Sequence, residues 1–538
     1  MKKRFIWVLL ILSGFLLLHQ RLVYQPFLAS GDHGRDLYAF EATMRGQLPY
    51  KDYWWVYGPL TPYYYSIFFK LFGVAISSVL LGKFLLNLAA GIFFFATLSF
   101  FIPSMFAYVA TLWFWIFKPE FFFTYNHIAG ITCLMAIVYY MLDHFRNKNL
   151  ISLYAALLAT FALSLIKINF GIIALILLIL FTYLPNRFNK KPISKGEKRF
   201  YWIALAGMPL AVFLVYWSLL NTLPIYAIRQ CLPYLASDHP NNAPFLLTAK
   251  AWWNTIAVNI NISWQNRIFA ALLLCSILQT LRNLHRNTFN PVIKKEVQYA
   301  ILLFMFFYCL NMHEYFASAV IYRAYWAKPF SMLLVFLFLG LAVKNFPKKI
   351  QVLLILTLFA IVFTRFNSEV KHVETLRDLN KNLGMDRASI LTTNSNSWQA
   401  AVKQTTSFLK KNLAPEESFF ALPYDPLYYY LTGKKSPTRQ LIFFDHIKIP
   451  EEQERKIILE LESNNTNWAV ISNRSASPER GMGIFGQTYC PLLARYLRDH
   501  FEPVAAFGDG MGPPGWVRNH SVQILKRKIP IAPAGSIR

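Results

Sequence analysis

Residues 74–101 read VAISSVLLGKFLLNLAAGIFFFATLSFF, with Lys83 as the sole charge. A bilayer core takes about 20 apolar residues per helix, so a run of this length reads as a membrane span. Working outward with the same window places further spans at 5–20, 103–118, 122–142, 150–166, 168–184, 200–221, 266–283, 298–316, 329–343 and 350–366. The expected fold is thus a polytopic α-helical membrane protein with about 11 transmembrane helices. The composition agrees, with 55% hydrophobic, 17% aromatic and only 15% charged residues among 538, where a soluble chain carries roughly 25% charged. The same figures exclude a disordered chain. Five cysteines, none in a CxxC pair, give neither a zinc site nor a disulfide framework. Lys2-Lys3-Arg4 and the apolar run to Leu18 resemble a signal peptide. An uncleaved anchor is the preferred reading, because more spans follow and no small-x-small cleavage site does.

A net charge of +27 first suggests a nucleic-acid partner. Its distribution argues otherwise. Lys and Arg are retained on the cytoplasmic side of a membrane. With the N-terminus inside, the inner segments are 1–4, 143–149, 186–199, 282–296 and 344–349, and they hold 18 of the 32 basic residues before position 367. The excess is topogenic, and no nucleic-acid partner is expected. This orientation puts the C-terminal part outside the cytoplasm, as in a bacterial cytoplasmic (inner) membrane protein.

From about Asn367 the character changes, and the remaining chain holds 17 of the 27 acids. It reads as an extracytoplasmic α/β domain over 367–538, after a transmembrane domain over 1–366. Helices are expected at Ser397–Leu413, Pro450–Ser463 and Pro491–Phe501, and strands at Ser418–Leu422 and Trp468–Ile471. Gly481-Met-Gly483-Ile-Phe-Gly486 matches the dinucleotide fingerprint, but the nearest strand ends near Asn473 and Pro478 intervenes. The fingerprint needs a strand running straight into the turn and a helix receiving it, so this is read as a glycine loop.

The acids of 1–366 are scarce, and none falls in the middle of a span. Seven are expected at or near the outer face: Asp32, Asp36, Glu41, Asp52, Glu120, Asp238 and Glu314. The pattern lacks the mid-membrane relay that pumps and ion-coupled transporters often carry. The first outer loop, about 21–73, is densest: Gly31-Asp32-His33-Gly34-Arg35-Asp36-Leu37-Tyr38. A helix over Arg35–Arg45, closed by Gly46, would be capped by Asp32, with Asp36 complementing its dipole. The other reading makes Asp32 a general base taking a proton from a hydroxyl. From Tyr50 to Phe72, 11 of 23 residues are aromatic, which by default is an interfacial belt.

The run Asp32–Gly73, with Asp32, Gly46–Tyr50, Asp52, Gly58-Pro59-Leu60 and Leu71-Phe72-Gly73, resembles the first outer loop of GT-C glycosyltransferases. It is most similar to the bacterial protein-mannosyltransferase-like members of glycosyltransferase family 39. The resemblance implies that the acid opening this loop, Asp32, is the catalytic carboxylate. Many members carry Asp-Glu there; this chain has Asp32-His33, which leaves Asp36 as the nearest second acid. Ile166-Lys167-Ile168-Asn169-Phe170-Gly171 is similar to a Lys-polar-x-Gly element of these enzymes, and His313-Glu314-Tyr315 with Arg323 and Lys328-Pro329 resembles their late outer loop. Glu120 and His127 stand where the superfamily often has a second acidic element. In the tail, the block Leu422–Gly433 with Ser436–Arg439 looks like one recurring in bacterial relatives, with no role attached.

The resemblance implies an inverting transfer from a polyprenyl-phosphate sugar at the outer face to a hydroxyl of an acceptor glycan, lipid or protein, in contact with membrane lipids. Arg35, Lys167, Arg323 and Lys328 would neutralise the departing phosphate. Glu120, His127, His313 and Glu314 would serve an acceptor or second acidic site. No cofactor is required; a divalent cation, Mg or Mn, is what the acidic pair could hold. The rival readings are a transporter or flippase of lipid-linked sugars, a polymerase or ligase of surface polysaccharide, and a non-catalytic anchor for the tail.

Overall fold

In the computed structural model the described residues are 2–117, 125–183, 195–220, 295–318, 321–447, 449–476, 482–515 and 517–528. Helices α1 (Lys2–Leu18), α2 (Asp32–Met44), α3 (Leu60–Phe72), α4 (Ile76–Ser99), α5 (Ser104–Phe117) and α6 (Asn126–Asn147) come first. They are followed by α7 (Leu150–Ile166), α8 (Ile168–Tyr183), α9 (Lys195–Leu220), α10 (Lys295–Asn311), α11 (His313–Ser318), α12 (Lys328–Val343) and α13 (Lys348–Asp378). Among the described residues, five helices are long and apolar enough to cross a membrane: those at Arg4–Leu22, Ile76–Ser99, Asn126–Asn147, Tyr201–Leu220 and Lys348–Asp378. Apolar helices at Ser104–Phe117, Leu150–Ile166, Ile168–Thr182 and Lys328–Val343 coincide with other expected spans but are shorter. The span expected at 298–316 is interrupted at Met312, between α10 and α11. That expected at 266–283 lies outside the described residues. Helix α13 runs on past 366, the point where the sequence reading ends the transmembrane domain.

Within the bundle, some hydroxyls are satisfied on their own helix: Thr111 Oγ1 donates to the Ala107 carbonyl and Thr160 Oγ1 to that of Ala156, both at 2.8 Å. Such back-bonding removes the cost of a polar group among apolar side chains. The two ends of the bundle differ in chemistry. At one end Arg146 Nη1 donates to the Phe100 carbonyl at 2.5 Å, and Lys344 Nζ to that of Phe101. Both cations come from segments read as inner, and both complement carbonyls just beyond the C-terminus of α4. His127 stands at the opposite end of α6, and ~28 Å of helix separates it from Arg146.

The tail continues with α14 (Asn396–Asn412), α15 (Leu427–Thr432), α16 (Glu451–Ser463) and α17 (Pro491–His500). Strands β1 (Tyr24–Gln25) and β2 (Leu391–Thr392) pair in parallel and tie the first loop to the tail. A second sheet has the order β3-β4-β6-β5, formed by β3 (Phe420–Leu422), β4 (Trp468–Ser472), β5 (Phe501–Gly508) and β6 (Ser521–Arg527). Strands β3 and β4 are parallel, and the other pairings are antiparallel. Helices α16 and α17 bury Ile457, Leu461, Leu493 and Leu497 with Phe420 and Leu422 of that sheet. Ser395 caps α14, its hydroxyl accepting from Trp398 N. The glycine segment at 481–486 has Gly483 and Gly486 at positive φ, with β4 already ended at Ser472, so it is a loop as expected; Gly481 lies outside the described residues.

The tail docks on α2 through two glycines. A Cβ on Gly31 would fall 1.8 Å from the Tyr424 ring, and one on Gly34 2.3 Å from the backbone nitrogen of Leu427. Leu427 N donates to the Ser30 carbonyl at 3.2 Å. Asn394 grips Leu28 like a paired strand, accepting from its N–H at 2.9 Å and donating to its carbonyl at 3.1 Å. Gly34→Ala is therefore expected to destabilise the protein by about 1–3 kcal/mol, the usual cost of overpacking. Gly207→Ala in α9, where a Cβ meets nothing within 4 Å, is expected to be neutral. Melting temperatures of the two variants in detergent check this.

A buried histidine makes the tail acid-sensitive. His520 is 2% exposed, and its Nε2 lies 2.9 Å from the Tyr428 hydroxyl and 3.9 Å from Asp425 Oδ1. Burial lowers its pKa to about 4, with Asp425 opposing and Arg474 reinforcing the shift. An unfolded histidine titrates near ~6.5. As pH falls from there towards 4, the unfolded chain takes up a proton that the folded chain refuses, so stability falls with pH. The loss reaches about 3 kcal/mol. His520→Gln should flatten this slope of melting temperature against pH.

Candidate functional site

Helix α2 begins at Asp32, three residues earlier than the sequence suggests, because Gly31 is its N-cap and the Gly31 carbonyl accepts from Arg35 N at 2.8 Å. Asp32 is therefore the first helical residue, not the cap. Its carboxylate is turned to other partners. Arg35 Nη1 donates to Asp32 Oδ1 at 3.0 Å, and the Tyr424 hydroxyl donates to the same oxygen at 2.8 Å. Among the described residues no hydrogen bond reaches Oδ2, and the side chain is 17% exposed.

Asp36 is held quite differently. It is fully buried, its Oδ1 accepts from Arg35 Nε and Nη2 at 3.0 and 2.7 Å, and its Oδ2 accepts from Tyr125 N at 3.1 Å. Burial pushes its carboxyl up, to about 6, against the opposing pull of Arg35. The same burial works against the charge on Arg35, but Asp36 and then Asp32 outweigh it and hold the guanidinium well above its usual value. The guanidinium also lies over the rings of Tyr57 and Trp55, at 5.0 and 5.5 Å. His33 is buried behind the loop, its Nδ1 accepting from Ala29 N at 2.9 Å.

A second group forms where α7 gives way to α8. Lys167 adopts an extended backbone at that break, which turns its side chain across the bundle. Its Nζ reaches Glu314 Oε1 at 2.6 Å and Oε2 at 2.8 Å. Asn169 Nδ2 donates to Glu314 Oε1 and to His313 Nε2, both at 2.8 Å. That network fixes the tautomer of His313, whose Nδ1–H then donates to the Leu310 carbonyl at 2.8 Å. The Lys167 ammonium also faces Phe170, Trp326 and Tyr57 at 5.0, 5.1 and 6.0 Å. Arg323 lies near enough to act electrostatically on Lys167, Glu314 and His127.

Tyr57 joins the two groups, with Arg35 on one side and Lys167 and His127 on the other; its ring is 6.0 Å from that of His127. The loop carrying it is fastened by Gly58 N donating to the Ile166 carbonyl at 2.9 Å and Trp55 Nε1 to the Gly58 carbonyl at 3.0 Å. Asp32, Arg35, Asp36, Lys167, His127, His313, Glu314 and Arg323 thus gather at one end of the bundle. Lys328 opens α12, 6.0 Å from the Tyr325 ring, and among the described residues makes no ion pair with this group. Glu120 lies outside the described residues. The sequence reading did not single out Tyr57, Trp326, Asn169 or Tyr424; Asn169 and Tyr424 nonetheless sit inside stretches it quoted.

The acidic pair does not suit a resident divalent cation. Arg35 sits between the two carboxylates and takes one oxygen of each, and Tyr125 N takes the second oxygen of Asp36, which leaves Asp32 Oδ2 as the one oxygen of the pair with no hydrogen bond among the described residues. Among the described residues no three His, Cys, Asp or Glu side chains gather to hold a metal.

No protein-family model and no curated protein matches the sequence. Solved structures do resemble it. ArnT from Cupriavidus metallidurans in the apo state aligns over 96% of this chain and 97% of its own, with a TM-score of 0.57 and 12% identity. The same protein bound to undecaprenyl phosphate aligns over 96% and 98%, with a TM-score of 0.55 and 11% identity. The archaeal oligosaccharyltransferase AglB from Archaeoglobus fulgidus, in complex with an inhibitory peptide and a dolichol-phosphate, covers 88% of this chain at a TM-score of 0.49 and 11% identity. At such identities the likeness is one of fold. This chain shares the fold of ArnT along nearly the whole length.

Proposed function

We propose that the protein is an inverting membrane glycosyltransferase of the family 39 type. It would move a sugar from a polyprenyl-phosphate donor to an acceptor hydroxyl at the outer face of a bacterial cytoplasmic membrane. One observation carries the reading: the Asp32 carboxylate has one oxygen taken by two donors, no hydrogen bond among the described residues reaches the other, and the side chain is partly exposed beside a buried charge cluster. A structural carboxylate is consumed on both oxygens, as Asp36 is. One with an open oxygen on a rigid mount suits a general base. The fold shared with ArnT, a protein solved with undecaprenyl phosphate, supports the donor class.

In the proposed step the acceptor O–H gives its proton to Asp32 Oδ2 while the oxygen bonds to the anomeric carbon. The bond from that carbon to the phosphate oxygen breaks, and its electron pair leaves with the polyprenyl phosphate. Arg35 is more than neutralised by its two carboxylates, and Lys167 is neutralised by Glu314. Arg323, beside the Lys167–Glu314 pair, supplies positive charge for the leaving phosphate.

With purified protein and an undecaprenyl-phosphate sugar, Asp32→Asn is expected to slow release of free lipid phosphate by about 10²–10⁴-fold, the usual worth of a general base. Unimpaired turnover in a folded variant would remove the base assignment. Movement of the intact donor across vesicles without cleavage would make the protein a flippase instead. Arg323→Gln should lower kcat more than it raises KM for the donor, since its charge counts most as the phosphate departs.

A further inference from the structure

Tyr424 comes from the tail, almost four hundred residues after the carboxylate it touches, and everything around it fixes its position. Its ring is 5% exposed and packs edge-on against Phe444 at 5.4 Å, with the Arg474 guanidinium 5.9 Å from the ring centroid. The turn carrying it is pinned by Phe443 N donating to the Pro423 carbonyl at 2.7 Å and by Leu427 N donating to Ser30. On the other side, Gly31 gives the ring its seat, since any Cβ there would overlap it. The hydroxyl then meets Asp32 Oδ1 at 2.8 Å, where Arg35 Nη1 also donates.

We infer that Tyr424 is a positioning residue for the base. Two donors on Oδ1, one from the outer loop and one from the tail, fix the rotation of the carboxylate and leave Oδ2 aimed into the site. Arg35 alone would not do this. It sits three residues along the same helix and moves with Asp32, whereas Tyr424 supplies a fixed point on a separately built part of the chain. The tail is therefore part of the catalytic unit, and its docking on Gly31 and Gly34 sets the orientation of the general base. The inference rests on Asp32 being that base.

Tyr424→Phe keeps the ring and its packing and removes only the donor. With the full-length protein and an undecaprenyl-phosphate sugar, kcat should fall on the order of ten- to a hundredfold, the scale of a lost charge-assisted hydrogen bond. KM for the donor and the melting temperature should stay within about twofold and a few degrees of wild type. In an Asp32→Asn background the same change should cost nothing further, because no base remains to be aimed. A Tyr424→Phe enzyme with wild-type kcat, while Asp32→Asn is impaired, overturns this inference and leaves the base assignment standing. Fully additive losses in the double variant also overturn it, by assigning Tyr424 a role independent of Asp32. If Asp32→Asn turns over normally, both fall together.

Discussion

The guanidinium of Arg35 is 3% exposed and shared between Asp32 and Asp36, and the geometry of the site depends on that sharing. A buried cation must be paired, and pairing with a fork of fixed shape also fixes its partners. Nε and Nη2 grip Asp36, which is itself tied to the backbone of Tyr125 at the start of α6. Nη1 is left for Asp32. The same cation lies on Tyr57, so the aromatic loop after α2 is gathered to it as well. One charged group thus connects the first loop, the helix bundle and the candidate base.

That arrangement separates two carboxylates which look equivalent in the sequence. Asp32 and Asp36 stand one helical turn apart, on the same face of α2, and both flank Arg35. Burial, Tyr125 on Asp36 and Tyr424 on Asp32 distinguish them, and none of these is encoded locally. The membrane class, by contrast, was legible at once, because spans such as 74–101 must be apolar along their whole length to exist in lipid. The tail elements were nearly as clear, with α14, α16 and α17 starting within a residue of their expected positions, since caps and prolines are local signals. Helix α2 was placed three residues late because Asp32 has the chemistry of a cap while Gly31 serves as one. The pairing of Lys167 with Glu314 joins residues 147 positions apart, a separation over which sequence periodicity carries no information. The contact of Tyr424 with Asp32 is hidden for the same reason, though Gly31 leaves the room that its ring occupies.

The tail also accounts for features of the first loop that membrane insertion alone does not require. Glu41 is buried and bound by Arg45 of its own helix and by Arg387 of the tail, the latter at 2.7 Å. Arg439 donates from Nη1 to the Tyr50 carbonyl at 3.0 Å and accepts at its own carbonyl from Trp54 N at 2.9 Å. Together with the β1–β2 pairing, these contacts make the loop a layer between bundle and tail. The aromatic residues of that layer are consequently divided. Tyr50, Tyr53, Trp54 and Trp55 are buried in it, and Tyr63 and Phe72 of α3 are left exposed. An interfacial belt describes the second set better than the first.

Stability is a poor reason for the charges gathered here. Taking two ions out of water costs several kcal/mol each, roughly, and a well-packed apolar pair of the same volume usually serves a fold as well or better. The bundle otherwise follows that economy, closing hydroxyls such as those of Thr111 and Thr160 on their own helices and keeping its acids away from the middle of the spans. Lys167 with Glu314, and Arg35 with two aspartates, depart from it at the same end of the molecule and on either side of one tyrosine. Lys167 with Glu314 is neutral as it stands, and Arg35 with its two aspartates carries a net negative charge, so neither binds an anion strongly by charge alone. What they provide is a set of donors held rigid before any ligand arrives, beside Arg323, which among the described residues makes no ion pair with either. Preorganised donors next to a further cation suit a site that must stabilise a phosphate as it departs more than one that must hold it at rest. The cost of burying these ions is then the cost of keeping that geometry fixed.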